Sequence, residues 1–319
     1  MLTSNAVCVC EKTHDMENFN KDKLIFIPLT IDDESILEKY LSAHKFTTSE
    51  YTFANLLIWR NGCNIEYSIY NDTLIIRKKD FKGNYHFMQP VGYKKDKLKI
   101  LVEKLKEYKD IFDMPYLFKD VEESFLNDLR EVYGDNLIIE EDTDNFDYIY
   151  SSDKLISLSG KKLHSKKNHY NYFIKNYEYI VKDLNDAMVR EDCINAAKLW
   201  HTEKYNGDTY LDAELGGIQE ILNYMDKLNL KGIAVYVNNT VAAFTIGERT
   251  NENMAIIYIE KGRLDINGIY AFINKTFVEK YFSDIEYINR EQDLGIEGLK
   301  KAKKSYYPVK LEKKYCVNF

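Results

Sequence analysis

Apolar and polar positions along this chain follow two periods, one typical of helices and the other of strands. In segment 96–108 the apolar residues recur every three or four positions, which predicts a helix with one buried face. Elsewhere, short apolar runs flank Asn71-Asp72 and Asn238-Asn239. Asparagine and aspartate tolerate the left-handed backbone of two-residue turns, so both pairs predict hairpins. The pattern therefore predicts a protein of mixed helices and strands.

The predicted elements occur twice in the same order. In each half, helices precede a hairpin, and strand, helix, strand, helix and strand follow it. The first half includes a predicted strand over 137–141 with another, 146–150, beside it, and the second half is predicted to end in one strand over 309–317. This order is typical of the N-acetyltransferase (GNAT) kind of α+β domain. We therefore predict two tandem GNAT-like (acyl-CoA N-acyltransferase) domains, 24–155 and 156–319, each a mostly antiparallel mixed sheet flanked by helices.

Composition is typical of a globular protein in a reducing compartment. The chain has 319 residues, of which 45% are hydrophobic and 30% charged. Its five cysteines are scattered without a CxxC pair, which argues against a disulfide framework and against a zinc site, so no metal is expected. Residues 1–23 are predicted to be a polar extension, and neither a signal peptide nor an apolar run long enough to span a bilayer is recognised. We therefore expect a cytoplasmic location.

Basic residues are clustered, although the net charge of the whole chain is −7. Segment 161–175 contains five lysines and two histidines without an acid, and segment 300–314 contains seven lysines and one acid. Such clusters in an acidic chain indicate a phosphate-bearing partner. The alternative is that they are simply two solvent-exposed helix faces. The candidate phosphate ligands are Lys161, Lys166, Lys167, Lys300, Lys303 and Lys304. Tyr306 beside them either stacks on a base or packs in the interior.

Five polar residues, 289–293, follow a predicted strand and precede a lysine-rich helix. The end of a strand before a helix is where open α/β sheets commonly place ligand chemistry. Arg290 can hold a carboxylate or phosphate with two hydrogen bonds, and Glu291 or Asp293 can accept a proton from an attacking amine. We therefore predict a catalytic group formed by Asn289, Arg290, Glu291 and Asp293. The alternative is structural, with Asp293 capping the next helix and Arg290 pairing with an acid.

A second candidate binding element is the loop that opens helix 267–282. A helix N-terminus presents free backbone N–H groups, which suit a phosphate or a developing oxyanion. The candidate residues there are Gly262, Arg263 and Gly268. Asp265 would repel a phosphate. The alternative is that these residues form an ordinary loop between a strand and a helix.

Three segments resemble one known family. They are EYTFANLLIW at 50–59, SGKKLHSKKNHYNYF at 159–173 and INREQDLGIEGLKKAKKSYYPV at 288–309. They resemble the bacterial proteins similar to the C-terminal domain of phosphatidylglycerol lysyltransferases, and the resemblance extends from about residue 24 to the C-terminus. It implies a tandem GNAT fold related to Fem-type transferases, which move amino acids from aminoacyl-tRNA onto lipids or cell-wall peptides.

The resemblance and the candidate residues lead to one predicted function and two alternatives. We predict a transferase that moves an aminoacyl or acyl group from an activated carrier, aminoacyl-tRNA, to an amine or hydroxyl acceptor. The alternatives are an acyl-CoA-dependent N-acyltransferase and a non-catalytic binding protein on a GNAT scaffold. The carrier, tRNA or coenzyme A, would be a co-substrate, and no tightly bound cofactor is expected. No counterpart of the family's membrane-spanning flippase half is recognised, so lipid, peptide and small-molecule acceptors all stay open, as does the oligomeric state.

Overall fold

Residues 24–204 and 207–319 are described by the structure, which is a computed structural model. They form two seven-stranded sheets. One hydrophobic core lies between the sheets, and each sheet has a further core on its outer face. The polar extension predicted for 1–23 lies outside the described residues.

The bounds of the elements follow the sequence pattern closely in most places. The strands are β1 Ile27–Pro28, β2 Glu66–Tyr70, β3 Thr73–Lys79, β4 Tyr85–Phe87, β5 Phe118–Val121, β6 Ile138–Glu141, β7 Asp147–Ser151, β8 Tyr179–Asp183, β9 Lys231–Val237, β10 Thr240–Arg249, β11 Met254–Gly262, β12 Tyr287–Asn289, β13 Lys310–Glu312 and β14 Tyr315–Asn318. The α-helices are α1 Glu34–Leu41, α2 Phe53–Trp59, α3 Leu98–Ile111, α4 Glu123–Tyr133, α5 Ser152–Ser157, α6 His164–Asn176, α7 Ala187–Lys204, α8 Thr209–Asn223, α9 Ile269–Tyr281 and α10 Glu297–Lys304.

Both sheets are mostly antiparallel and contain one parallel pair each. The first has the order β1-β2-β3-β4-β5-β14-β6, with β4 parallel to β5. The second has the order β13-β7-β12-β11-β10-β9-β8, with β11 parallel to β12. Helices flank both sheets, so the predicted α+β fold class is confirmed.

The two predicted hairpin turns are also confirmed. Asn71 and Asp72 have φ angles of 49° and 59°, and Asn238 and Asn239 have 50° and 61°. These left-handed angles at both central positions define the turn that matches the twist of the flanking strands. The helix predicted over 50–60 is shorter, because the Thr52 hydroxyl accepts a hydrogen bond from the Asn55 N–H at 3.2 Å and caps α2 there.

The two halves of the chain exchange strands. The segment predicted as one strand over 309–317 is two strands, β13 in the second sheet and β14 between β5 and β6 in the first, so that prediction is wrong. The predicted pairing of 137–141 with 146–150 is also wrong, because β7 belongs to the second sheet. The division between the two sheets therefore does not coincide with the predicted domain boundary at 155/156. That boundary stays a prediction about which parts of the chain fold as units.

A buried lysine explains the division of the last strand. Lys314, which follows β13, is fully buried, and its ammonium lies 2.5 Å from Glu50 Oε1 and 2.7 Å from Asp147 Oδ1. These carboxylates come from distant parts of the sequence, so the local pattern around 309–317 does not reveal them. The ion pairs hold the end of the chain at the junction of the two sheets.

Candidate functional site

A cavity of about 850 Å³ opens beside β11 in the second sheet. The parallel pair β11 and β12 is short, joining 254–256 to 287–289, and β11 then continues to Gly262. This divergence leaves space between the strands, which we call the reaction cavity. Its walls are the second part of β11, the start of α9, residues 290–292, Leu294 and the inner side of α10.

Arg290 and Glu260 form an ion pair in the wall of the reaction cavity. Arg290 Nη2 lies 2.7 Å from Glu260 Oε1, and the two side chains are 12% and 11% exposed. Asn274, on α9, donates to Glu260 Oε2 at 2.8 Å, and the guanidinium lies 4.8 Å from the centre of the Tyr306 ring. Arg290 Nη1 has no hydrogen-bond partner among the described residues. The guanidinium is therefore fixed in place, and one of its buried donors is not used by the described residues.

Glu291 supplies a carboxylate to the same cavity. Its backbone has a φ of 56°, an uncommon conformation for a residue with a side chain, which turns it out of the strand. Asn55, in α2 of the first half, donates to Glu291 Oε1 at 2.8 Å. Burial, reinforced by the nearby Asp147 carboxylate, raises the pKa of Glu291. A carboxyl with such a pKa can take up and release a proton near neutral pH.

Lys303 lies next to this carboxyl group. It projects inward from α10, and its ammonium donates to the backbone oxygen of Arg290. Burial and the Arg290 charge lower the pKa of Lys303. An acid with a raised pKa and an amine with a lowered pKa therefore face one cavity, which is the arrangement expected of proton-transfer sites.

Asn289 and Asp293 lie behind the cavity wall, not in it. Asn289 Nδ2 donates to Asp147 Oδ2 at 2.8 Å, and its Oδ1 accepts from the Glu291 N–H at 2.7 Å. Asp293 is 2% exposed and accepts hydrogen bonds from the Tyr148 hydroxyl at 2.5 Å and the Gly295 N–H at 2.9 Å. In the structure, both residues hold the loop that presents Arg290 and Glu291.

Most groups of the predicted anion-binding loop already contact other groups of the protein. Gly268 has a φ of 88°, and a Cβ there would lie 2.2 Å from the backbone oxygen of His169 in α6. Glycine at this position thus permits the close approach of α6 to the start of α9. Arg263 pairs with Asp265 at 2.5 Å, and the backbone of Gly262 hydrogen-bonds the Tyr270 hydroxyl. Arg263 and Gly268 line the reaction cavity, whereas Gly262 lines a smaller one next to it.

The two lysine clusters meet beside the cavity, although more than a hundred residues separate them. Lys166 lines the cavity, and its ammonium lies 4.2 Å from the centre of the Tyr306 ring. Burial, with the Arg290 charge, lowers the pKa of Lys166 to about 8. Lys162 similarly lies 5.3 Å from the ring centre of Tyr307. The structure therefore joins α6 and α10 into one basic surface.

Four of the remaining predicted ligands lie outside the cavity wall. Lys161, Lys167 and Lys304 are exposed on the basic surface, and Lys300 is half-buried with its ammonium 3.9 Å from Asp144. Tyr306 is 6% exposed between Arg290 and Lys166, so it packs in the cavity wall. Its ring face contacts two cations and is not open to a base.

Sequence reasoning missed several residues of the cavity. Asn55 lies in the otherwise apolar helix α2, and Asn274 lies on the buried face of α9; a polar residue on a buried face is a signal that could have identified them. Glu260 directly follows the apolar run 254–259 within β11. Trp59 and Tyr210 line the cavity from α2 and α8, and only the packing of the two halves reveals them.

Two absences among the described residues concern metal-ligand groups and membrane-spanning helices. Within 24–204 and 207–319, no three His, Cys, Asp or Glu side chains are grouped so that they could hold a metal ion. In the same residues, none of the helices has the length and apolar character needed to cross a bilayer.

The chain belongs to the family described as phosphatidylglycerol lysyltransferase, C-terminal, whose model matches residues 42–318. The resemblance found in the sequence is thereby confirmed, and the fold is the predicted tandem GNAT-like one. Its class is that of lysylphosphatidylglycerol synthase-like transferases.

Three proteins illustrate what this chain is similar to. A conserved protein of unknown function from Bacteroides thetaiotaomicron has a crystal structure with a TM-score of 0.81 and 29% identity, covering 92% of this chain and 99% of that one. L-PGS from Bacillus licheniformis shares the fold, with a TM-score of 0.59, 15% identity and coverage of 89% and 91%. An uncharacterized protein of Mycoplasmoides gallisepticum is 28% identical over an alignment of 211 residues, and the match covers 60% of this chain. The match spans 66% of that relative's length.

Proposed function

We propose that this protein transfers an aminoacyl group from aminoacyl-tRNA to an amine or hydroxyl acceptor. The observation that carries the proposal is the joint presence of Arg290, Glu291 and Lys303 in one cavity beside a basic surface. Family membership supports a transferase of this general class. The charged groups and the cavity support the finer assignment.

The chemistry follows from the positions of these three side chains. The acceptor N–H or O–H attacks the ester carbonyl carbon, and Glu291 takes the proton as the new N–C or O–C bond forms. The partnerless Nη1 of Arg290 stabilises the negative oxygen that develops. The bond from the carbonyl carbon to the ribose oxygen then breaks, and Lys303 returns a proton to that oxygen. Protons and charge balance without any other reactant.

The basic surface supports a large phosphate-bearing carrier. Exposed lysines in and just before α6 and in α10 lie outside the cavity lining, where they can contact backbone phosphates. Coenzyme A is supported less well, because α6 packs against Gly268 at the helix start where its pyrophosphate would bind. We therefore favour tRNA over coenzyme A as the carrier.

Glu291→Gln tests the assignment directly. We expect kcat/KM for transfer from charged tRNA to fall about 10²–10⁴-fold, because the amide keeps the size and the Asn55 contact but accepts no proton. The matched control is Glu297→Gln at the exposed start of α10, which should transfer normally. Transfer is measured by release of labelled amino acid from tRNA in the presence of a panel of lipid, peptide and small-molecule acceptors.

Two outcomes would contradict the proposal. One is the absence of transfer to every acceptor together with tRNA binding that does not weaken as salt increases. The other is equal transfer by the wild type and Glu291→Gln. Saturable coenzyme A binding with acetyl transfer would instead establish the acyl-CoA alternative, and ligand binding that persists in Arg290→Ala and Glu291→Ala without turnover would establish the non-catalytic one.

A further inference from the structure

Three lysines line the reaction cavity, and they differ in what they contact. Lys261 Nζ lies 2.5 Å from Glu214 Oε2, and the ammonium of Lys303 donates to a backbone oxygen. Lys166, in the first turn of α6, has neither a hydrogen bond nor an ion pair with the described residues. Its amine lies over the Tyr306 ring instead, 4.2 Å from the ring centre. Charged side chains that lose water are normally paired, so this amine is an exception.

The surroundings of Lys166 are more positive than negative. The guanidinium of Arg290 contacts the same ring, 4.8 Å from its centre. The acid that acts on Lys166, Glu260, already pairs with Arg290 at 2.7 Å. Loss of water and the Arg290 charge therefore both disfavour a protonated amine. The titratable and charged groups around it are, from the cavity wall, Arg290, Glu291, Glu260, Lys303 and Tyr306, and from its own segment Lys162, Lys167, His169 and Tyr170.

A lysine in this environment is partly neutral near pH 7. Burial and the Arg290 charge lower the pKa of Lys166 to about 8. At pH 7 roughly a tenth of such an amine is neutral, compared with about 0.04% of a lysine whose pKa is the ordinary ~10.4. A neutral amine carries the lone pair that attacks a carbonyl carbon, and lysines become nucleophiles in this way when they lose water beside another cation. The cavity of about 850 Å³ onto which Lys166 opens admits small esters.

We propose that the Lys166 amine is an acylation site, which reacts with an activated acyl ester or thioester in the reaction cavity. The nitrogen attacks the carbonyl carbon and a C–N bond forms, while the bond from that carbon to the leaving oxygen or sulfur breaks. The proton released by the nitrogen goes to the leaving atom, so the step balances without another reactant. The inference goes beyond the proposed function, because here the protein itself is the acceptor.

Acylation would change the reaction cavity in two ways. The amide carries no charge, so the wall beside Arg290 loses one of its cations. The added acyl group also fills part of the space next to the Tyr306 ring. We therefore expect the modified protein to bind a carrier less well, which makes Lys166 a point where acylation controls access to the cavity.

Limited acetylation of the full chain by N-hydroxysuccinimidyl acetate tests the site, with the extent at each lysine read by peptide mass spectrometry. At pH 7 we expect Lys166 to react about tenfold faster than its exposed neighbour Lys167, because the larger neutral fraction outweighs the lower reactivity of a less basic amine. The rate at Lys166 should level off above about pH 8, whereas the rate at Lys167 should rise to about pH 10. Concentrated urea should abolish the difference, since it depends on the folded cavity.

Two matched variants locate the fast reaction. Lys166→Arg keeps the positive charge but removes the nucleophile, so it should lose the fast phase of acetylation, whereas Lys167→Arg should keep it. Charged tRNA and acetyl-CoA, added separately, distinguish the carriers. An aminoacyl mass increase at Lys166 identifies tRNA as the source, and an acetyl increase identifies the thioester. Modification by the probe but by neither carrier restricts the source to small free esters.

The acylation site is overturned if Lys166 reacts no faster than Lys167 at pH 7, if both rates rise in parallel to about pH 10, or if the preference persists in urea. These outcomes are distinct from failure of the proposed function. Fast acetylation of Lys166 in a protein that transfers no aminoacyl group would overturn the proposed function alone. Transfer from charged tRNA without preferential acetylation would overturn the acylation site alone.

Discussion

At the residue scale, burial decides which charged groups can act in the site. Arg290 and Glu260 are held by each other and by Asn274, so the guanidinium has one orientation. Nearby, the pKa of Glu291 is raised and the pKa of Lys303 is lowered, because both side chains are buried and each lies close to other charges. The same residue types on an exposed helix would keep their ordinary pKa values. The shifted pKa values are thus a property of the cavity.

A carboxyl group outside the site tests how strongly burial acts in this protein. Burial raises the pKa of Glu248, in the core between the sheets, to about 7, and the Tyr258 hydroxyl donates a hydrogen bond to it. A raised pKa in the folded state stabilises the fold below the ordinary value of 4.5, and this stabilisation is lost as pH rises through about 7. Glu248→Gln should therefore gain melting temperature relative to the wild type, by a few degrees, between pH 4.5 and 8. A difference that stays constant over this range contradicts the assignment.

At the scale of elements, the crossing of α2 and α8 joins the two halves. A Cβ on Gly217 would lie 2.4 Å from the backbone oxygen of Ile58, and one on Gly62 would lie 2.4 Å from the Ala213 Cβ. The helices therefore approach each other through glycine. Because α2 also carries Asn55 and Trp59, this approach brings the first half into the wall of the reaction cavity.

Substitution at two adjacent glycines tests the crossing. Gly217→Ala should lower the free energy of unfolding by about 1–3 kcal/mol, because the added methyl group meets backbone that cannot move freely. Gly216→Ala, one residue earlier in the same helix, meets nothing within 4 Å and should be neutral or stabilising by up to about 1 kcal/mol. Urea unfolding measures both. Equal effects of the two substitutions would show that helix propensity, not packing, governs this segment.

At the scale of the whole molecule, the exchange of β7 and β14 makes each sheet depend on both halves. β14 completes the first sheet although it ends the chain, and β7 completes the second although it precedes the second half. The buried Lys314 lies where the chain passes from one sheet to the other. We therefore expect the two halves to unfold together.

Lys314→Met tests this coupling. Removing the ammonium leaves the Glu50 and Asp147 carboxylates buried without it, which should cost about 3–5 kcal/mol of unfolding free energy. Lys313→Met changes a neighbouring lysine that is half exposed and paired with Glu141, and it should change stability by less than about 1 kcal/mol. Both variants should still show one thermal transition by calorimetry. Two separated transitions in the wild type would contradict joint unfolding.

The sequence by itself determined the periodic elements, the hairpin turns, the fold class and the family. These depend on local spacing, on residues such as Asn71 and Asn238 that tolerate left-handed backbone, and on motifs readable along the chain. It also pointed to Arg290, Glu291, Lys166 and Lys303, because charged residues at a strand end and in basic helices stand out locally.

Only the tertiary structure decided which of these residues share a cavity. Asn289 and Asp293 have the same charge or polarity as their neighbours, yet long-range hydrogen bonds to Asp147 and Tyr148 hold them behind the wall. The strand exchange, the role of Lys314 and the contribution of Asn55 likewise depend on partners more than a hundred residues away. Such contacts form because the chain folds back on itself, and no local pattern of hydrophobic and polar positions records them.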